Sequence, residues 1–170
     1  MKWNNNDIDK TCGFGIHRLT STDNLFHTIY IIDNITGALF VSSKYSDKLN
    51  ISETPEDLIS SFLNAMNLFI NETFHREEEI QDEVQEVNFN RMRILYEKRE
   101  RLMVIAISKK TNLETEKYFV HEILNDFYTR FENKISQFNG IIDPAMQNYK
   151  NRLKNFDLSL SWAKRNSIIF

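Results

Sequence analysis

The stretch Met92-Arg93-Ile94-Leu95-Tyr96-Glu97-Lys98-Arg99-Glu100-Arg101-Leu102-Met103-Val104-Ile105-Ala106-Ile107 decides the fold. Met92, Ile94 and Tyr96 alternate with Arg91, Arg93 and Leu95, the period of a half-exposed strand. The run Leu102 to Ile107 is apolar at every position, which suits a strand covered on both faces. The charged segment Glu97 to Arg101 between them reads as the turn of a hairpin. A sheet with a doubly covered central strand needs helices on both sides, so the rest of the chain is read for them.

Upstream, Val84 to Phe89 is a weaker strand, and Leu25 to Ile32 is a second interior one. Asp33 to Gly37 turns the chain, with Gly37 supplying a positive φ beside a bulge. Ala38 to Ser43 returns as a short edge strand with a polar end. Thr54-Pro55-Glu56-Asp57 starts a helix: threonine caps, proline takes the first helical position and acids complete the turn. This helix is predicted to reach about Thr73. Leu58, Ile59, Phe62, Leu63, Met66, Phe69 and Ile70 form its expected core face. An acidic connection, His75 to Glu83, follows.

Downstream, Thr111-Asn112-Leu113-Glu114 reads as a capping box. Its helix carries Phe119, Val120, Ile123, Leu124, Phe127, Phe131, Ile135 and Phe138 on one face, and Gly140 closes it. Asp143-Pro144 opens a last helix with Met146, Tyr149, Leu153, Phe156 and Leu160 along one stripe. The order β-β-α-β-β-β-α-α gives an α/β chain of the α+β kind. It predicts a five-stranded, mostly antiparallel sheet with one helix on one face and two on the other. Residues 1–22 read as a loosely ordered N-terminal arm, 23–166 as one domain and 167–170 as a short tail.

The 170 residues suit one domain, and a net charge of −3 with dispersed cations argues against a nucleic-acid footprint. Cys12 is alone, so neither an intrachain disulfide nor a multi-cysteine metal site can form. The polar start Met1 to Asp7 lacks a signal-peptide pattern, and no apolar run is long enough to span a bilayer. A cytoplasmic protein is expected, with at most peripheral membrane association through its partners. His17, His27, His75 and His121 are scattered without ligand spacing. Gly13-Phe14-Gly15 lacks the rest of a phosphate loop, and the acids from Glu77 to Glu86 do not follow calcium-loop spacing. No catalytic, cofactor-binding or metal-binding residues are therefore assigned, no cofactor is expected, and no enzymatic activity is predicted.

The element order resembles the longin fold of vesicle-trafficking proteins over roughly residues 25 to 165. The hairpin from Met92 to Ser108 with the helix to Phe138 is similar to the first longin domain of the tri-longin Rab activators. Ile29 to Asp33 with Gly37 to Phe40 resembles the family's opening hairpin. Neither a second or third longin domain nor a SNARE-type heptad segment ending in a membrane anchor is expected. The resemblance implies a non-enzymatic module that pairs with itself, with another longin or roadblock domain, or with a small GTPase.

Two surfaces are expected to carry that pairing. Placed at 100° steps, Ser60, Ser61, Asn64, Asn67, Leu68 and Asn71 fall opposite the apolar stripe of the first long helix, and that side is almost free of charge. Charge depletion with a projecting leucine is the composition of an interface core. The partner-binding set is Ser61, Asn64, Leu68 and Asn71, with Phe40 and Ser42 on the edge strand. Leu158 and Trp162 are added from the far side of the last helix, four residues apart. The alternative is a PAS-like ligand-sensing domain, which also places helices on a five-stranded sheet but needs a polar-lined cavity.

Overall fold

The computed structural model describes residues 22–46, 55–74 and 84–156. A short helix α1 (Thr22–Leu25) leads into β1 (Phe26–Asp33), β2 (Leu39–Lys44) and the long helix α2 (Glu56–Phe74). Then come β3 (Glu86–Asn88), β4 (Arg93–Arg99), β5 (Leu102–Ser108), α3 (Leu113–Ser136) and α4 (Pro144–Lys154). The strands form one antiparallel sheet in the order β2-β1-β5-β4-β3. This is the expected architecture, preceded by one extra helical turn, and it is consistent with a longin-like fold.

β1 and β5 lie inside the sheet and are buried almost throughout, as their unbroken apolar runs require. β2 is an edge strand, joined to β1 through a turn in which Gly37 has φ 75°. The register slips by one residue between Ile31 and Ile32, which places the bulge beside this turn. β4 departs from the half-exposed reading. Leu95 is buried beneath α3 along with Ile94 and Tyr96 on the other face, because helices cover both sides there. β4 also runs to Arg99, so the turn shrinks to Glu100-Arg101.

The larger core lies between the sheet and α3 with α4. Phe119, Val120, Ile123, Leu124, Phe127, Ile135 and Phe138 are buried as predicted, and Phe131 is half-buried. The cap of α3 sits one residue later than expected. Asn112 accepts from the Thr115 amide at 2.9 Å, and the buried Glu116 carboxylate reaches back to the Thr111 amide at 2.7 Å. The helix ends at Ser136, before Gly140, after a break in helical geometry at Phe131. Asp143 caps α4 through the Ala145 amide, with Pro144 at the first position. α4 stops at Lys154 with Asn155 as its C-cap, shorter than expected: Phe156, predicted on the helix stripe, is buried just past its end, while Leu160 falls outside the described residues, as do Thr54 and Cys12.

Two polar clamps hold this side together. Asp33, fully buried, accepts from Arg101 Nε at 2.9 Å and Nη2 at 3.1 Å, which ties the β1–β2 turn to the β4–β5 turn. Burial alone would raise its carboxyl, but hydrogen bonds from Arg101 and Thr36 outweigh that and hold it below the ordinary range. Asp126 on α3 receives Arg152 of α4 at 2.6 and 2.9 Å and the Tyr149 hydroxyl at 2.8 Å. The same competition, burial against hydrogen bonds from Arg152, Arg130 and Tyr149, brings its pKa down to about 2.

Candidate docking surface

The opposite face of the sheet is covered by α2 alone among the described helices. Tyr30, Ile32, Met103, Ile105, Ile107, Ile94 and Tyr96 supply the strand side, and Leu63 is the buried apolar residue from the helix. Ile59 and Met66 pack at the flank, half-buried. The helix start is held to the edge strand: Ser42 Oγ donates to Glu56, and Lys44 Nζ lies 3.4 Å from the same carboxylate. Burial would raise the Glu56 carboxyl, but these partners outweigh it and keep it below its usual value. One to two turns on, α2 packs against the β1–β2 turn: a Cβ on Gly37 would lie at ordinary contact distance, 3.4 Å from Asn64 Nδ2 and 3.7 Å from the Ser61 Cα.

These contacts fix the roll of the helix, and the roll differs from the one its apolar stripe predicts. Ser60, Asn64 and Asn67, expected to face outward, are buried against the sheet side. Leu58, Phe62 and Phe69, expected in the core, are 62%, 63% and 68% exposed. At 100° per residue, the buried face is turned by about a third of a revolution from the centre of the apolar stripe. The charge depletion on the Asn side thus coincides with burial on the protein's own sheet. That burial is imperfectly satisfied, since Asn64 Oδ1 and the Tyr96 hydroxyl have no hydrogen-bond partner among the described residues. Burial pushes the Tyr96 hydroxyl well above the ordinary tyrosine range and that of Tyr30, aided by Glu56, up to about 12.

The expected partner-binding residues therefore scatter. Ser61 is exposed and Leu68 is 45% exposed, so both stand on the outer side of α2. Asn64 does not, being buried on the sheet side. Phe40 is corrected from edge surface to core: the bulge aims it at α3, where its ring lies 6.3 Å from Phe127 and 5.0 Å from Phe138. Ser42 is buried with its hydroxyl committed to Glu56, which leaves only the backbone edge of β2 on offer. The Asn71 side chain, Leu158 and Trp162 lie outside what is described.

Leu58, Phe62 and Phe69 were assigned to the core by periodicity, so sequence reasoning missed them as surface residues. With Ala65 and Leu68 they make a continuous uncharged patch, and α2 carries no charged side chain between Asp57 and Glu72. Contiguous exposed apolar patches are uncommon on monomeric proteins.

Other chemistry is sparse. Among the described residues no three His, Cys, Asp or Glu side chains converge on a metal position, and no helix is long and apolar enough to cross a membrane. His121 is exposed, with Nδ1 2.5 Å from Glu97 and Nε2 2.8 Å from Asn125. A notch of about 280 Å³ opens at the β4 edge between Asn67 of α2 and Lys117 of α3, beside Val84 and Lys98. It lies at the sheet edge and falls just short of the size range of small-molecule sites, about 300–1,000 Å³.

No protein-family profile matches the sequence. No curated protein matches it either. Among solved structures, the chain is similar to one in a homology model of the full-length AP-3 complex in a stretched open conformation. The two are 12% identical, the match covers 84% of this chain and 95% of that chain, and the TM-score is 0.39. A superposition that loose argues for neither a family nor a function.

Proposed function

We propose that this chain is a non-enzymatic, longin-type interaction module that docks protein partners through the outer face of α2 and the adjoining edge of β2. The partners the reading implies are a second copy, a longin or roadblock domain, or a small GTPase, in the regulation of membrane trafficking. One observation carries it: Leu58, Phe62 and Phe69 stand roughly two-thirds exposed on a helix face without charge. Burying such a side chain is worth about 1.5–3 kcal/mol, so a partner covering three of them gains a hot-spot cluster at little desolvation cost. β2 adds the backbone groups of a terminal strand, which a second sheet can complete.

The test is Phe62→Glu. Mass in solution is measured first, then binding to longin, roadblock and small-GTPase partners. The substitution should abolish every complex the wild type forms, because the new carboxylate would be desolvated without a partner. Circular dichroism and melting should match wild type. A wild type that stays monomeric and binds none of these at micromolar concentration would refute the proposal.

A further inference from the structure

The charges that bracket this patch say more about what covers it. Asp57 stands exposed at its start and Glu72 at its end, and the last turn of α2 contains no basic residue. Glu72 is thus placed at the negative end of the helix dipole, the wrong end for a carboxylate. The sequence beyond continues Arg76-Glu77-Glu78-Glu79 and Asp82-Glu83, again mostly acidic. From Leu58 to Phe69 the patch extends roughly 16 Å at 1.5 Å per residue, the length of about three helical turns.

Resting on the reading of α2 as the docking surface, we infer that its occupant is an amphipathic helix of another protein whose apolar stripe is bracketed by Lys or Arg. The apolar positions at 58, 62, 65 and 69 follow the i, i+4, i+7, i+11 stripe along which a second helix packs. Basic residues at the ends of the incoming helix meet Asp57 and Glu72, and a cation at Glu72 also relieves the unfavourable dipole contact. A second copy fits less well. Packed antiparallel it sets Asp57 against Glu72, and packed parallel it sets Asp57 against Asp57, so acids face acids in both arrangements. An anionic bilayer meets the same repulsion.

The probes are two synthetic helical peptides with one apolar stripe of matching length, one flanked by lysines and the other by glutamates. Fluorescence anisotropy follows each with the full chain at low and at high salt. The lysine-flanked peptide should bind roughly tenfold tighter at low salt, the value of two or three exposed ion pairs, and the gap should narrow with salt. Asp57→Lys/Glu72→Lys should reverse the preference, and Phe62→Glu should abolish binding of both. Equal binding of the two peptides, lost in Phe62→Glu, overturns the charge inference and leaves the docking surface standing. Failure of both peptides, with Phe62→Glu still abolishing a longin or GTPase complex, does the same. A wild-type dimer that Phe62→Glu dissociates makes a second copy the occupant, and preferential binding to phosphatidylcholine vesicles makes it a lipid surface; each overturns the inference. A lower melting temperature in Phe62→Glu means that this chain itself covers the patch, and both readings then fall.

Discussion

On the α3 and α4 side of the sheet, Phe40, Phe119, Phe127, Phe138 and Tyr149 interlock, and the ring centroids of Phe127 and Tyr149 are 4.9 Å apart. On the α2 side, Ser60, Asn64 and Asn67 face the strands while two phenylalanines of the same helix face away. One face is closed by shape and apolar area. The other is closed by a helix that keeps its best apolar residues outside. Turning them outward forgoes stabilisation that a different roll would supply, which is the arrangement expected where a helix serves an interface as well as a core.

The largest test of this contrast compares two phenylalanines. Phe127→Ala removes a fully buried ring and should cost about 3–5 kcal/mol in urea unfolding, by lost transfer energy plus a cavity. A loss below about 1 kcal/mol would mean that the α3 face is not the better packed one. The α3–α4 clamp sharpens the comparison next. The Asp126 carboxyl, depressed from 3.8 to about 2, adds stability that is fully present above pH 4 and is lost as the pH falls towards 2. After discount for its partial exposure, the loss should be about 1–2 kcal/mol, and Asp126→Asn should flatten that part of the pH–stability profile. An unchanged profile in Asp126→Asn would remove the clamp from the account.

On the other face the expected effects are smaller, and one has the opposite sign. Asn64→Leu removes a buried carbonyl oxygen that is unpaired among the described residues and should raise stability by about 1 kcal/mol. Destabilisation instead would show that the amide holds the approach to Gly37. Phe62→Ala should change monomer stability by less than about 0.5 kcal/mol, although periodicity places it in the core. A cost near that of Phe127→Ala would restore the periodicity reading and break the contrast.

The α3 stripe was legible because its alternative rolls bury more charge. Glu114, Arg130, Glu132 and Lys134 occupy the exposed side, and a large rotation would bury them in addition to Glu116 and Glu122, which the observed roll already covers. The roll of α2 was not legible for the complementary reason. Between Asp57 and Glu72 nothing is charged, so no position vetoes burial and several rolls cost comparable amounts. The charge-poor face did signal burial, but it did not say whether the protein's own strands or a partner would cover it. Phe40 was misplaced because alternation assumes an uninterrupted strand, and the bulge between Ile31 and Ile32 shifts the pattern opposite it.

The sequence by itself determined the order of the five strands and the three long helices, the two central strands, the α3 core stripe and the Asp143-Pro144 helix start. Each rests on local chemistry or on a periodicity with one admissible solution. Only the tertiary structure decided which side of α2 meets the sheet. That choice is made by long-range contacts: Ser42 and Lys44 on Glu56, and Gly37 against Asn64 and Ser61. A helical repeat records which residues share a face; the neighbours that the chain brings to it determine which face is turned inward.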